Sequence, residues 1–556
     1  MFSARMRPLL RLLFGLCPTL APAVVLTWDT SAQPGFQPGP GAWNDWQAWS
    51  SDGVGRTAWV GGADAVFRGS PLGGTDAIAL GLSVEVGDLT FGGTEGEVTR
   101  GDWSLTGIGL TLGRASRWDV GAGSSVQLLA TVFGVERWTK AGEGDLRLAA
   151  ESVHRGGLTV ESGGLVFRHT LGAGSGPVDM AGGRLSLETG GIIYNPLVLS
   201  AARVEVLTDQ VDALASPLGT TWAGLVSGAG MLVKAGRGEL RLAGANTFTG
   251  GLTIAGGMVA VSQGTGLGRG LVRLEGGGVS LISNVAVTNA IEVVASASRL
   301  SSALNAQSQP YRATLAGSVS GVGSVVKVGA GTLWATGPWA PQGGTVVQEG
   351  VLMANGRIEG VVRVEGGVLG GRGRAGAVVV AGGGTLAPGD GSGALTMTSL
   401  RLEAGARLIC AVERADLGPG SGHAFGLVEG RLDLAALGPT DRARWVLGGK
   451  LEKFDLTRDQ SFVLWRYGEL TLAPGVVLPD CFELDATAWR SALGEDFDAS
   501  WLGLTHDALS RTVSLVYASP VPEPSGYGLT LAGGAGLCAF IRRARKRWAL
   551  GARVAR

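Results

Sequence analysis

Short runs of alternating polar and apolar residues, separated by glycine clusters, fill most of the chain between positions 60 and 400. Residues 239–243 alternate strictly, residues 244–247 have the composition of a turn, and residues 251–254 begin the next run. A period of two residues is typical of strands with one buried face, which Val, Ile, Leu and Thr suit. Glycine accommodates the positive φ of tight corners. The pattern predicts an all-β fold, because this region shows no period of a long amphipathic helix.

One segment of this pattern occurs three times at nearly constant spacing. Its lysine is Lys140, Lys234 or Lys327, so that the copies are 94 and 93 residues apart. In each copy glycines follow the lysine after two, four, 16 and 17 residues, and a leucine follows after six. The chain contains only six lysines, so the coincidence indicates a true repeat. The repeat positions singled out are Lys140, Lys234, Lys327, Gly142, Gly236 and Gly329.

Short strands with glycine corners can form a sandwich, a barrel or a parallel β-helix. A unit of 94 residues corresponds to about four coils of roughly 20–25 residues each. Stacked coils would place equivalent side chains in continuous internal ladders. The spacing therefore favours the parallel β-helix, or β-solenoid, over residues 61–400.

The regions beside the repeats differ from them in composition. Residues 24–60 contain tryptophans that either form a platform for stacking sugars or cap the open first coil, and the cap is favoured. These tryptophans are Trp28, Trp43, Trp46, Trp49 and Trp59. Residues 401–520 have less glycine and more charge, which predicts a separate C-terminal β-rich domain. Its Cys410 and Cys481 either form one disulfide or remain free.

The N-terminal residues 1–23 have the composition of a secretion signal. Three arginines precede or interrupt an apolar stretch, which is followed by the small residues Ala21 and Ala23. A small-x-small pattern at this position is typical of a signal-peptidase site. We predict an exported protein whose signal peptide is cleaved after Ala23.

The C-terminal residues 521–547 combine a short motif, an apolar segment and a basic cluster. The motif consists of Val521, Pro522, Glu523, Pro524 and Ser525, and the basic cluster of Arg542, Arg543, Arg545, Lys546 and Arg547. The uncharged residues 526–541 between them would form a helix of about 24 Å, which predicts one C-terminal transmembrane helix in a thinned bilayer. Residues 548–556 would then form a basic cytoplasmic tail.

This order of motif, apolar segment and basic cluster resembles the PEP-CTERM sorting signal of Gram-negative bacteria. The resemblance implies recognition and cleavage by an exosortase, a membrane enzyme similar to transpeptidases, in species that secrete exopolysaccharide. An exosortase-like enzyme, the membrane and an extracellular polysaccharide are therefore the expected partners. The expected route passes through an inner-membrane intermediate to the cell surface or the extracellular matrix. The alternative is an ordinary C-terminal membrane anchor.

A second resemblance concerns the repeats. Residues 228–254 resemble the autotransporter-associated β-strand repeat, and residues 382–390 resemble the turn that often closes such arrays. The two together cover roughly residues 130–400. The family implies a right-handed parallel β-helix in an exported, often adhesive, passenger. This chain departs from the family in ending with the sorting signal, so we expect it to be anchored by other means.

The charge distribution and the lack of catalytic motifs narrow the possible functions. Lysine and arginine together number 46, as do aspartate and glutamate, but ten of the basic residues lie in the leader and the tail. The acidic body argues against nucleic acid as a partner. The sequence contains no G-x-S-x-G, H-E-x-x-H, EF-hand or P-loop motif. We therefore expect no enzyme activity, cofactor or metal site. The alternative function is a β-helical polysaccharide lyase or hydrolase, for which the candidate carboxylates are Glu143, Asp145, Glu161 and Glu239.

Overall fold

The structure is a computed structural model that describes residues 23–31, 33–68, 74–92, 100–211, 215 and 217–520. The predicted secretion signal up to residue 22, with Ala21, and the predicted sorting segment lie outside these ranges. Within them, no helix has the length and apolar character needed to span a bilayer. The structure therefore does not support the predicted C-terminal transmembrane helix, whose residues 526–541 lie outside the described ranges.

The chain divides into two compact units, Met1–Val178 and Asp179–Arg556. In the first unit, parallel strands stack in columns to which each coil adds one strand. One column comprises Val25–Trp28, Asp64–Phe67, Leu89–Phe91, Ser116–Val120, Trp138–Ala141 and Leu158–Val160. Another comprises Thr75–Val86, Asp102–Leu112, Ser125–Gly134, Asp145–Leu148 and Gly164–Phe167. The short strands at the N-terminal end are Gly41–Ala42, Trp49–Ser50 and Arg56–Thr57.

In the second unit, the strands of successive coils form three parallel columns. The first comprises Arg184–Leu187, Arg203–Leu207, Met231–Ala235, Leu252–Ile254, Val272–Leu274, Ile291–Val293, Val319–Gly321 and Trp339–Pro341. The second comprises Ile192–Ile193, Thr220–Trp222, Glu239–Leu242, Met258–Val261, Gly278–Leu281, Ser298–Ser302, Val325–Val328 and Thr345–Val347. The third comprises Val178–Met180, Leu197–Leu199 and Val226–Gly228 and, after an interruption between residues 229 and 285, Ala286–Val287, Arg312–Leu315, Thr332–Ala335, Val351–Ala354, Val368–Gly371, Thr385–Pro388, Arg407–Ala411, Ala443–Gly448 and Phe482–Asp485.

Later coils merge the first two columns into long strands that bend at a register shift. These strands are Arg357–Val364, Arg374–Val380, Gly393–Leu402, Ala424–Asp433 and Gln460–Thr471. After them come the 3-10 helix Leu478–Cys481, the α-helix Thr487–Leu493, the 3-10 helix Ala499–Trp501 and the strands Leu502–Asp507 and Thr512–Tyr517. The last two strands pair antiparallel, and the second also pairs antiparallel with Gln460–Thr471, which ends the parallel stacking.

The core of the second unit consists of inward side chains stacked in register. In the third column, Leu333, Leu352, Leu369 and Leu386 lie opposite one another in successive coils, and each is fully buried. Burying one such side chain contributes about 1.5–3 kcal/mol. The predicted ladders are therefore present, and the mostly β, parallel architecture agrees with the β-solenoid that the sequence predicts.

One detail of the predicted repeat differs from the structure. The 93 residues between Lys234 and Lys327 span four coils and one further strand, because coils here take about 20 residues except where loops lengthen them. Lys234 pairs with Ile254 in the first column, whereas Lys327 pairs with Val347 in the second. The two lysines therefore occupy different columns, and the estimate of four coils for each repeat is too short by one strand.

The parallel columns continue past the domain boundary predicted at residue 401. Strand Gly393–Leu402 contains that position and pairs in parallel with Arg374–Val380 on one side and Ala424–Asp433 on the other. The structure therefore shows continued stacking where the composition predicts a separate β-rich domain. Composition changes here because the corners lengthen into loops, while the strands keep the same pairing.

Cys410 and Cys481 are buried and not joined in a disulfide. Cys410 pairs with Leu447, whereas Phe482, next to Cys481, pairs with Ala443 on the same intervening strand. The two cysteines are therefore two strands apart and about five residues out of register, or roughly 19 Å. A disulfide requires Cα atoms within about 7 Å. Burial raises the pKa of Cys410 to about 12 and that of Cys481 to about 11, so both remain thiols at neutral pH.

Candidate functional site: the buried lysine corners

Lys234 lies at the end of a strand, and its side chain points into the core. It is fully buried. Its ammonium Nζ donates hydrogen bonds to the carbonyl oxygens of Ala235 at 2.9 Å, Gly236 at 2.9 Å and Gly256 at 3.1 Å. The first two carbonyls belong to the corner after its own strand, and the third belongs to the next coil. An ammonium group has three N–H donors, so all three are used.

The other two repeat lysines make the same contacts. Lys140 donates to the carbonyls of Ala141, Gly142 and Ser162 at 2.6, 2.7 and 3.1 Å. Lys327 donates to those of Val328, Gly329 and Glu349 at 2.9, 2.7 and 3.0 Å. Both lysines are fully buried. The acceptors stand one, two and 22 residues after the lysine in every copy, so the sequence repeat corresponds to a repeated three-dimensional site, which we call the lysine corner.

Glycines let the backbone of each corner turn toward the ammonium group. Gly236 has a φ of 81°, in the left-handed region that glycine tolerates best. Gly238 lies so close to the previous coil that a Cβ there would stand 2.4 Å from the carbonyl oxygen of Leu218. The corresponding glycines Gly142 and Gly329 have φ values of 70° and 74°. The glycine spacing that identifies the repeat therefore has two physical causes. Some positions have no room for a Cβ, and others need a positive φ.

Each corner contains one further glycine that the sequence reasoning did not single out. Gly163, Gly257 and Gly350 follow their lysines by 23 residues and have φ values of 71°, 63° and 61°. A Cβ at Gly257 would lie 2.3 Å from the carbonyl oxygen of Gly238 in the preceding coil. The signal was available as a fixed distance from the lysine. It is easily overlooked because the neighbouring position is Ser162 in one copy and Glu349 in another, so no glycine pair marks it.

Burial controls the protonation of the lysine corners. It lowers the pKa of Lys234 and of Lys327 from 10.5 to about 8, while the carboxylates of Asp209 and Glu349 partly oppose the shift. Glu349 also accepts a hydrogen bond from the backbone N–H of Gly329 at 2.8 Å. Both amines are thus mainly protonated at neutral pH. Both amines are shielded from solvent, so a substrate cannot reach them. Their hydrogen bonds hold neighbouring coils together.

The tryptophans of residues 24–60 form a buried cluster. Trp28, Trp43 and Trp49 are at most 1% exposed and surround Phe67, with ring centroids 5.9, 5.4 and 5.6 Å from it. Trp46, by contrast, is 68% exposed. A sugar-stacking platform needs open ring faces, which the three buried rings lack. These three rings are packed inside the fold.

Each candidate catalytic carboxylate has different surroundings. Glu161 forms an ion pair with Arg117 at 2.5 Å, and Asp145 lies 3.9 Å from Arg147. Glu143 is exposed on a corner, and burial raises the pKa of Glu239. In the part of the chain that the structure describes, no group of three or more His, Cys, Asp or Glu side chains is placed to hold a metal ion.

The outer faces of the second unit carry pairs of opposite charges that link neighbouring coils. Arg273 contacts Glu292 of the next coil at 2.6 Å and Glu275 of its own strand at 2.8 Å. Arg363 reaches Glu403 at 3.2 Å, two coils further on. Exposed pairs of this kind contribute little each, about 0–1 kcal/mol. Their main effect is a surface on which the charges are matched.

Parts of the chain are similar in sequence to known proteins. The passenger-associated-transport-repeat family matches residues 139–167 and 232–261, which contain the first and second lysine corners. The chain is also 28% identical over 188 residues to the "Adhesin BmaC autotransporter" of Brucella suis biovar 1 (strain 1330). That alignment covers 32% of this chain and 5% of the adhesin, so the chain spans a small part of its relative's length. The predicted resemblance to autotransporter-associated repeats is thus confirmed for two copies.

Proposed function

We propose that this chain is an exported structural and adhesion protein whose stacked coils form a stiff scaffold at the cell surface or in the extracellular matrix. The observation that carries the proposal is the lysine corner, which joins successive coils. Its first two copies lie within residues that the passenger-associated-transport-repeat family matches. The partial likeness to an adhesin supports the same role. We further propose that the coils are right-handed, as in that class of passengers.

Targeting is the second part of the proposal. Residues 1–23 act as the secretion signal, and the motif Val521–Ser525 with its basic cluster acts as a PEP-CTERM sorting signal for an exosortase-like enzyme. The support is the order of motif, apolar segment and arginines in the sequence. An extracellular polysaccharide is the proposed binding partner, because the sorting signal resembles one found in species that secrete such polymers.

A deletion tests the sorting proposal. Cells producing the full chain or a chain ending at residue 520 are fractionated, and the protein is quantified in the membrane, surface and medium fractions. We expect the truncated protein to shift from the cell-bound fractions to the medium. Exchanging Pro522, Glu523 and Pro524 for alanine should have the same effect, whereas alanine at the exposed corner residue Glu143 should have none. An unchanged distribution of both sorting variants would remove the sorting signal from the proposal.

Attachment assays test the adhesion proposal. Cells with and without the protein are incubated with surfaces coated with the host's own exopolysaccharide, and the bound cells are counted. Loss of the protein should reduce attachment several-fold. Equal attachment would contradict the proposed role.

A parallel assay addresses the enzymatic alternative. Soluble sugar released from the polymer is measured with the natural protein and with single amide replacements of the candidate carboxylates, Glu143→Gln, Asp145→Asn, Glu161→Gln and Glu239→Gln. We expect no protein-dependent release. Release that is abolished by one of these replacements would favour the lyase or hydrolase.

A further inference from the structure

Each lysine corner is a cup of three carbonyl oxygens contributed by two coils. In the second copy, Ala235 and Gly236 supply two oxygens from one coil and Gly256 supplies the third from the next coil. The distances to Nζ lie between 2.9 and 3.1 Å, which is ordinary for N–H···O hydrogen bonds. The Nζ-to-carbonyl distances are nearly the same in all three copies. The carbonyl oxygens therefore have a reproducible arrangement.

The chemistry of the cup selects one class of ligand. Three carbonyl oxygens arranged around one point suit a tetrahedral nitrogen with three N–H donors. A guanidinium group is planar and presents its donors in a fork, so it fits this arrangement poorly. A hydroxyl group has one donor and would leave two of the carbonyls unpaired, which is costly in a buried site.

The aliphatic part of the lysine occupies apolar space that leads to the cup. Lys234 stands in the inward row of its column, in register with Val206 before it and Ile254 after it. Both neighbours are fully buried, with exposures of 1% and 0%. The site therefore combines a narrow apolar slot of three methylene groups beyond Cβ with a polar end.

We propose that the lysine corner is a binding site for a primary alkyl amine, in which the lysine side chain is the tethered ligand that clamps one coil to the next. Cutting the side chain back to alanine removes three methylene groups and the ammonium group. n-Propylammonium has the same number of carbon and nitrogen atoms as the removed group, so this ion should enter the vacated slot and restore the clamp. Buried apolar cavities made by truncation bind small molecules of matching shape in the same way.

Chemical rescue tests the proposal on the full chain. The Lys234→Ala variant is melted at pH 7 with and without about 100 mM n-propylammonium, 1-propanol or tetramethylammonium. We expect n-propylammonium alone to raise the melting temperature of the variant, by about 2–5 °C. The natural protein and the Lys450→Ala variant, whose lysine side chain is 74% exposed, should not respond. Equal responses to all three compounds, or no response to n-propylammonium, would overturn the proposal.

If the Lys234→Ala variant does not fold, the same three compounds are used in a refolding experiment. They are then added during refolding, and recovery of folded protein with n-propylammonium alone supports the site, whereas recovery with none or with all three contradicts it.

A second measurement uses the natural chain. Amines are methylated reductively under native conditions, and each lysine is quantified by mass spectrometry. Lys140, Lys234 and Lys327 should react at least 100-fold more slowly than Lys450 and should match it after unfolding. Native reaction of the corner lysines at the rate of Lys450 would show that the cups are open and the lysines unbound.

Discussion

The repeat region, residues 226–354, and the C-terminal coils, residues 393–485, have the same parallel strand pairing but differ at their corners. In the repeats, three residues between Met231–Ala235 and Glu239–Leu242 suffice to turn the chain, and a buried lysine binds the corner. In the C-terminal coils, residues 412–423 and 449–459 form long loops between strands that still pair in parallel. The repeated motif therefore specifies the corner, whereas stacking of the coils depends on the inward rows.

The inward row of the third column connects the two regions. Leu352 in the repeats and Trp445 in the C-terminal coils belong to the same row, with Leu369, Leu386 and Leu408 between them. The ring of Trp445 is 2% exposed, and its centroid lies 4.9 Å from that of Phe482. Larger aromatic side chains thus fill the core at the C-terminal end, whereas leucine fills it in the repeats.

Removing the aromatic side chain should have the largest effect. Trp445→Ala leaves a large cavity and should destabilise the protein by about 3–5 kcal/mol, whereas the matched Leu352→Ala should cost about 2–4 kcal/mol. Calorimetric melting of both variants measures the difference. A cost below about 1 kcal/mol for Trp445→Ala alone would show that the C-terminal coils do not depend on this row.

The glycine of the lysine corner should give the next largest effect. Gly257→Ala adds a Cβ 2.3 Å from a backbone oxygen at a φ of 63°, which should cost about 2–4 kcal/mol. At Gly448, in a C-terminal strand, an added Cβ would meet no heavy atom within 4 Å. Gly448→Ala should therefore stay within about 0.5 kcal/mol of the natural protein in chemical denaturation. If the two substitutions cost the same, the corner is not the constraint that distinguishes the regions.

Removing the ammonium group should have a smaller effect. Lys234→Met keeps the apolar stem but leaves three carbonyl oxygens without that donor, while it also relieves the burial of a charge. We expect the free energy of unfolding to fall by about 2 kcal/mol. Backbone hydrogen exchange at the corner that follows Lys234 should become faster. Lys450→Met, in a C-terminal loop, should change neither quantity, because its ion pair with Glu413 is largely exposed. A neutral result for Lys234→Met would indicate that the glycines alone set the corner.

The same contrast explains how far sequence reasoning could go. The polar and apolar alternation, the repeat spacing and the corner glycines are local signals, so the parallel stacking over the repeats could be predicted from them. The continuation past residue 401 could not, because its corners are loops without a repeated motif and its row changes from Leu408 to Trp445. The acceptors of Lys234 are backbone carbonyls, one of them at Gly256 in the next coil. No residue type marks a backbone acceptor, so the role of the lysine emerges only from the stacking.

The dependence of stability on pH gives the smallest effect and the sharpest sign. Lys234 and Lys327 have folded pKa values of about 8, against 10.5 when unfolded. Below pH 8 both states hold the proton, and between pH 8 and 10.5 only the unfolded chain does, so the folded state gains stability as the pH rises through this window. The carbonyl hydrogen bonds favour the charged amine, so the gain in stability is smaller than the two pKa shifts alone would give.

The measurement is the melting temperature of the natural protein minus that of a Lys234→Met and Lys327→Met double variant, taken at about pH 7 and about pH 9.5. All other titrating groups are common to both chains and cancel. We expect this difference to increase at the higher pH, because only the natural chain sheds the cost of burying two charges. A difference that decreases would mean that the three carbonyls outweigh burial, and that the corner holds its lysine more tightly as the ammonium than as the amine.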